Sequence, residues 1–474
     1  MSFYQIAVFL AIVLIYRLIL NNRFKKLFIF VLSIIVLYWL QSPLILRNWS
    51  YWLPLISILL VLSCWVIVTP KSKLFLKHNI INFILLISII ITITALGNLL
   101  KGFPILRTSP LQLSQVLPLL FIAFLLLLLL SIEEKYKLYY SYLLFIVIIA
   151  IFIVYKTPSL LTKVAYLSQY ISGGTALINI DELRWLGFSY LAFRLLHVIR
   201  DKQTGHYISI DLDRFVSYAI FFPAVTAGPI DRIEHFDREM EEEKDRISGL
   251  INGIRRIIIG LLNKFVIADS LSIISLNSIN ALQSTSTFWL WVHLIGYSLQ
   301  IYFDFSGYTD IAIGISNCLG IKLPENFKKP FSAPNLTQFW NRWHMSLTQW
   351  FRAYFFNPVN RYLKSKQKSI PSTLVLFTTQ VCTMILIGLW HGISTNFIIW
   401  GLWHGFGLFI QNRWSAVIQP IIENFHPPAT VLTSMKYLSV FITIVYITVG
   451  WIWFAIYDTN TSWFVLQKLF GVLK

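Results

Sequence analysis

Charge is what this sequence has least of. Asp, Glu, Lys and Arg make up 13% of its 474 residues, where an ordinary soluble domain carries about 25%. A soluble surface cannot be built from so few charges. Disorder is excluded with it, because disordered segments are rich in charge and poor in apolar residues. Acids are the scarcest: only Glu133 and Glu134 precede Asp181, while eleven fall between Asp201 and Asp245. Cysteine is nearly missing. Cys64, Cys318 and Cys382 lie far apart in apolar runs with no CxxC pair, so no disulfide framework is expected and each reads as a small buried hydrophobe. No repeat of roughly 20–50 residues covers the chain, and the doubled half common in transporters is not visible.

What remains is apolar. Hydrophobic residues make up 57% and aromatic ones 16%, and mean hydropathy is +0.68. This is a polytopic membrane protein. Its net charge of +18 would suggest nucleic acid in a soluble chain. In a membrane protein the positive-inside rule explains it better, since cytoplasmic loops collect Lys and Arg. No nucleic-acid partner is expected.

The first apolar run is Phe3 to Leu20, followed by Arg23, Lys25 and Lys26. A secretory signal has the opposite charge order, so a retained helix with its N-terminus outside is expected. Five further candidate spans lie at about Leu27–Leu46, Trp52–Val68, Ile80–Leu100, Val116–Ile132 and Leu138–Tyr155, each near the roughly 20 residues that cross the hydrocarbon core. The basic loops between them (Arg47; Lys71, Lys73 and Lys77; Lys101 and Arg107) alternate in a way that puts odd loops inside.

After Tyr155 the apolar stretches shorten and are broken by Gly, Pro, Asp and His. Broken segments at membrane depth are tolerated only where protein or a water-filled cavity surrounds them. The expected fold is one all-helical membrane bundle of about 11 spans plus short or re-entrant helices around a central funnel or tunnel. Residues 1–155 read as lipid-exposed scaffold, 156–410 as a folded intramembrane core and 411–474 as a C-terminal transmembrane segment. The charged run Arg238–Arg246 reads as a solvated amphipathic helix.

Ionisable groups inside a membrane are functional candidates. Asp304 and Asp310 are six residues apart, roughly 120° around a continuous helix; Gly307 between them is a point where such a helix could break. Trp340, Trp343 and Trp350 suit a membrane interface. Asn341, His344 and Thr348 share a helical face beside them, which can aim His344 into a polar cavity. Arg352, Arg361, Lys364, Lys366 and Lys368 form an acid-free basic stretch, suited to anionic lipid or to a cofactor's phosphates. Trp-His-Gly occurs at 390–392 and again at 403–405. On one straight helix His391 and His404 would diverge by roughly 140°, so only one should reach a shared cavity. A neutral imidazole can take a proton from a hydroxyl and act as general base.

Five stretches, in order, resemble the motifs of the membrane-bound O-acyltransferases. They are Phe222–Arg232 with its Ala-Gly-Pro turn, Tyr302–Gly314, Leu323–Phe327, Phe339–Leu347 and the first Trp-His-Gly. The resemblance runs from about Gly187 to Gly405, roughly half the chain, and is nearest to the bacterial branch of alginate O-acetylation and teichoic-acid D-alanyl transfer proteins. It implies His391 as the catalytic residue and His344 as its assistant. Asn341, Arg342, Asp304, Asp310 and Trp390 match motif positions as substrate-binding residues, and no metal is implied. Arg352-Ala353-Tyr354 lacks the acid of Arg-Asp-Tyr, and Asn357–Arg361 replaces the relatives' Pro-Leu-Gly-Gly.

The implied function is transfer of a short acyl group, most simply acetyl, from a thioester to a hydroxyl of an exported or cell-envelope polysaccharide or its partner, in the cell membrane. D-alanyl transfer to teichoic acid is the alternative, and a non-catalytic saccharide or lipid transporter the rival from another class. No permanent cofactor is expected. The co-substrate would be acetyl-CoA or an acyl carrier protein thioester on the cytoplasmic side. The other partners are membrane lipid and an extracytoplasmic acyl-transfer protein.

Overall fold

The structure, a computed structural model, describes residues 2–18, 22–41, 49–99, 111–172, 183–242, 246–366 and 371–472. Arg47, Lys101, Arg107 and Lys368 fall outside these residues, as does part of the charged run before Arg246. The described residues are helical, with no strand. Six helices are long and apolar enough to cross a membrane, and Phe3–Leu18 is a shorter apolar one. The chain falls into two compact units: residues 1–256 with 312–323, and residues 257–311 with 324–474.

The first unit opens with α1 (Phe3–Leu18), α2 (Asn22–Leu40), α3 (Trp49–Val68), α4 (Lys77–Leu99), α5 (Leu113–Ile132) and α6 (Lys137–Lys156). Of these, α3 to α6 are long and apolar enough to cross, which a helix can do because it satisfies its own backbone polar groups where lipid cannot. Two kinds of helix are present. Only 17% of α5 and α6 is buried inside the protein, against 78% of α3. α5 and α6 are largely exposed, whereas α3 is core. Its polar side chains explain the difference, because Tyr51 bonds Thr94 (2.5 Å), Ser57 accepts from the Trp185 indole (2.9 Å) and Trp65 donates to the Ile210 carbonyl (3.0 Å).

After α7 (Pro158–Ser172) come α8 (Phe188–Gln203), α9 (Leu212–Ala219) and α10 (Ile233–Glu241). The Ala-Gly-Pro turn is held from below. Buried Arg194 on α8 donates to the carbonyls of Ala219 (3.1 Å) and Ala224 (3.0 Å), and Tyr218 donates to that of Asp231 (3.0 Å). Gly228 is forced: a Cβ there would lie 2.5 Å from Ala224. The acids around α10 are matched rather than merely solvated, since Arg214 pairs with Asp211, Asp237 and Glu241.

The second unit contains the ends of α11 (Arg246–Leu261) and α12 (Thr287–Cys318) that fall within residues 257–311, followed by α13 (Leu336–Trp340), α14 (Met345–Phe351) and α15 (Asn357–Lys366). Then come α16 (Ser372–His391), α17 (Thr395–Phe425), α18 (Ala429–Gly450) and α19 (Thr459–Leu469). α12 does not break at Gly307. Instead Gly307 lets it approach α11: a Cβ there would sit 2.8 Å from the Gly260 carbonyl, and one on Gly260 would sit 2.6 Å from that of Gly307.

α16 and α17 form an antiparallel hairpin at close backbone contact. A Cβ on Gly388 would lie 2.2 Å from the Phe397 carbonyl oxygen, on Gly401 2.6 Å from Ile385 Cα, and on Gly405 2.8 Å from Val381 Cα. Small residues let helix backbones approach in a membrane, where no hydrophobic force drives helices together. Buried Asn396 ties the start of α17 to the C-terminal segment, donating to the Ile456 carbonyl (2.6 Å) and to Ser462 (3.1 Å).

Two predictions follow from this packing. Gly388→Ala should lower detergent stability by at least the about 1–3 kcal/mol of core overpacking. Gly296→Ala meets only the Ile274 side chain within 3.3 Å and should cost less; equal melting temperatures would contradict the close contact. In the first unit His235 Nδ1 lies 2.8 Å from Asp231 Oδ2. That hydrogen bond raises the imidazole above its ordinary value, and burial holds the Asp231 carboxyl up as well. A raised histidine stabilises the fold fully below its unfolded value of about 6.5 and stops doing so as pH climbs through the raised one. The melting-temperature difference between wild type and His235→Asn should therefore shrink from about pH 6 to about pH 9.

Candidate active site

The second unit gathers three histidines around a run of aromatic rings. His391 is the last residue of α16, where the helix stops because Gly392 is extended (φ 179°) and Ser394 caps α17, accepting from the Phe397 N–H. His391 and His404 therefore stand on different helices. The expected divergence along one straight helix does not apply, since the chain turns between them. His391 is partly exposed. Its ring lies 4.4 Å from Trp390, 4.7 Å from Phe454, 5.9 Å from Phe397 and 6.0 Å from Trp400, centroid to centroid.

His344 does not continue a helix through Trp340–Trp350. α13 ends at Trp340, and His344 takes a left-handed conformation (φ 42°) as the N-cap of α14. The expected shared face of Asn341, His344 and Thr348 is thus broken. The cause is a clamp from the preceding loop. Met345 N–H donates to the Asn326 carbonyl (2.9 Å), Lys328 N–H to that of Arg342 (3.0 Å), and Asn326 Oδ1 accepts from Ser346 N–H (3.2 Å) and Ser346 Oγ (2.9 Å). His344 is 3% exposed. Its Nδ1 lies 3.1 Å from Asn326 Oδ1, and its ring packs on Phe305 (4.7 Å) and Trp390 (5.8 Å). Trp390 therefore touches both His344 and His391.

His404 is buried completely. It sits among Trp400 (4.7 Å), Trp340 (5.1 Å), Tyr446 (6.1 Å) and Trp451 (6.3 Å), with no hydrogen-bond partner on either nitrogen among the described residues. Gly450 makes room for it: a Cβ there would lie 2.8 Å from Nε2. Trp340 and Trp343, expected at a membrane interface, pack in the protein interior. Both are buried, Trp343 among Phe327 (5.2 Å), Trp451 (5.3 Å) and Phe339 (5.5 Å).

The other expected site residues lie on α12 and just after α13. Asp304 and Asp310 share the continuous α12, so they point roughly 120° apart; Asp304 is paired with Lys264. Asn341 accepts from Arg352, and Arg342 donates to Ser332 (3.1 Å) and Gln338 (3.0 Å). Sequence reasoning gave no role to Asn326, Phe305, Trp400 or Phe454. Asn326 lay within the noted Leu323–Phe327 stretch, but only the fold shows what it holds.

Of the three histidines, His391 alone combines partial exposure with contact to Trp390. The orphaned nitrogens of His404 make a sharp case on stability. Replacing a buried group that has no hydrogen bond to lose costs little, so His404→Leu should melt close to wild type in detergent. A loss above about 3 kcal/mol would reveal a partner this geometry lacks.

The profile of MBOAT, the membrane-bound O-acyltransferase family, matches residues 31–457. The teichoic acid D-alanyltransferase of Bacillus subtilis (strain 168) is 34% identical over 264 residues, 52% of this chain and 66% of the relative. The probable alginate O-acetylase of Pseudomonas aeruginosa is 31% identical over 289 residues, 60% of this chain and 51% of the relative. The peptidoglycan O-acetyltransferase of Helicobacter pylori is 33% identical over 272 residues, 55% of this chain and 48% of the relative. The chain thus spans about half to two thirds of the length of these relatives.

Proposed function

Because the chain belongs to the membrane-bound O-acyltransferase family, we propose that it transfers a short acyl group from a thioester to a hydroxyl of a cell-envelope polysaccharide. The observation that carries this is the partly exposed His391 at the end of α16, sharing Trp390 with buried His344. Its Nε2 or Nδ1 takes the acceptor's hydroxyl proton as the oxygen attacks the thioester carbonyl. The C–O bond forms, the C–S bond breaks, and the proton leaves with the thiol. His344 orients the reacting group. The relatives named for alginate, peptidoglycan and teichoic acid support an envelope acceptor and a place in the cell's inner membrane.

Acetyl is the favoured acyl group, since two of these three relatives are named for O-acetylation. D-alanyl is the second reading, favoured by the 34% identity to a D-alanyltransferase. The donor would be acetyl-CoA or a carrier-protein thioester approaching from the cytoplasm. The basic side chains of Arg352, Arg361, Lys364 and Lys366 suit its phosphates. An extracytoplasmic partner would complete transfer to polymer. Asn341, Arg342, Asp304, Asp310 and Trp390 would border the substrate.

Purified protein in liposomes, given labelled acetyl and D-alanyl donors with a panel of glycans, should form ester; movement of saccharide without ester would favour a transporter. His391→Gln should fold and lose about 10²–10⁴ in rate, the usual contribution of a general base, and His391→Ala cells should lose envelope esters at normal protein level. His404→Gln should keep substantial activity, with His344→Ala between the two. A dead, well-folded His404→Gln beside a working His391→Gln would move the active site.

A further inference from the structure

We infer that Asn326 is the positioning residue of this site: it fixes His344 as the Nδ1–H tautomer and leaves Nε2 as a bare acceptor for the reacting hydroxyl. The hydroxyl rests on the acyl-transfer reading; the tautomer does not.

The inference follows from hydrogen-bond polarity. Asn326 is buried completely, and the atom it turns to Ser346 receives that residue's backbone N–H at 3.2 Å. A backbone N–H can only donate, so this atom is the amide oxygen, and the usual ambiguity between amide oxygen and nitrogen is removed. The same oxygen lies 3.1 Å from His344 Nδ1. An amide oxygen cannot donate, so Nδ1 must carry the proton. The imidazole is buried, and no charged group among the described residues acts on it. A second proton would therefore place an uncompensated charge away from water. The ring is neutral, and Nε2 is left with its lone pair.

That lone pair has no hydrogen-bond partner among the described residues. An orphaned buried acceptor is costly and calls for an explanation. The ring is held where it is by the left-handed backbone at 344, by the Met345 N–H bond to the Asn326 carbonyl, and by the faces of Phe305 and Trp390. A hydroxyl that donated its proton to Nε2 would satisfy that acceptor.

The test is direct. In protein labelled with 15N only at histidine, the resonances lost in His344→Gln should show a proton-bearing Nδ1 and a bare Nε2 at neutral pH. A proton on Nε2 instead would overturn the proposal, whatever the enzyme does. In acyl transfer, Asn326→Leu should lower kcat by about 10-fold or more with little change in KM, while Asn326→Asp, which keeps the acceptor oxygen, should restore much of it. Added to His344→Gln, Asn326→Leu should cost nothing further. Losses that multiply would mean that Asn326 does not act through His344. Should Asn326→Leu fail to fold, the tautomer of the wild-type protein decides alone. Should no ester form with any donor, the acyl-transfer reading fails while the tautomer result stands.

Discussion

The site depends on one close approach, that of the α16 and α17 backbones. Between lipid-soluble helices the bilayer supplies no hydrophobic drive, so contact must come from packing and from groups that fit. Gly388, Gly401 and Gly405 remove the side chains that would hold the two helices apart. The contact pairs 388 with 397, 385 with 401 and 381 with 405, which makes the hairpin antiparallel. With that register, Trp400 meets both His391 and His404, and His391 at the tip of the hairpin is left partly exposed. A bulkier residue at any of the three glycines would shift the register that sets the ring contacts.

Around this hairpin, aromatic rings do what charges do in a soluble active site. Tilted and edge-on ring pairs add energy beyond area burial and leave no ions to desolvate. The three histidines differ in what surrounds them. His404 is buried among rings, with no hydrogen-bond partner on either nitrogen among the described residues. His344 is held on one nitrogen by Asn326, while the other is buried without a partner among the described residues. His391 is reached from outside. The identical Trp-His-Gly neighbours of His391 and His404 could not tell these apart. The turn at Gly392 does.

Much of the fold could be read from hydropathy, because an apolar helix is a long local signal: the expected spans overlap α1–α6, with Trp52–Val68, Val116–Ile132 and Leu138–Tyr155 within three residues of α3, α5 and α6. The expected ends at Leu20, Leu46 and Leu100 lie outside the described residues. The site was harder. Its residues were named through motif resemblance, but their geometry rests on contacts between distant segments. Helical spacing through 340–350 gave the wrong picture, because Asn326, eighteen residues before His344, captures the backbone and side chain of Ser346 and breaks the helix. Gly307 read as a break and proved to be a contact, since glycine serves both purposes. Trp340 and Trp343 read as interface anchors because tryptophan favours that zone; it packs equally well into a core when other rings surround it.

His391 and His344 also sit at opposite kinds of helix end. His391 closes α16, a helix of 20 residues, where the carbonyl ends of the backbone favour a positive charge. His344 stands before the first turn of α14, where the N–H ends disfavour one. In acyl transfer the base must become an imidazolium for a moment, while a residue that orients the hydroxyl must stay neutral throughout. The backbone fields at 391 and 344 lean towards that division. Exposure leans the same way, because solvent can answer a charge at partly exposed His391, while His344 is buried with no charged group acting on it among the described residues. Backbone direction and burial are independent properties of the fold, and on the proposed acyl-transfer reading both fit His391 as the group that takes the proton and His344 as the one that stays neutral.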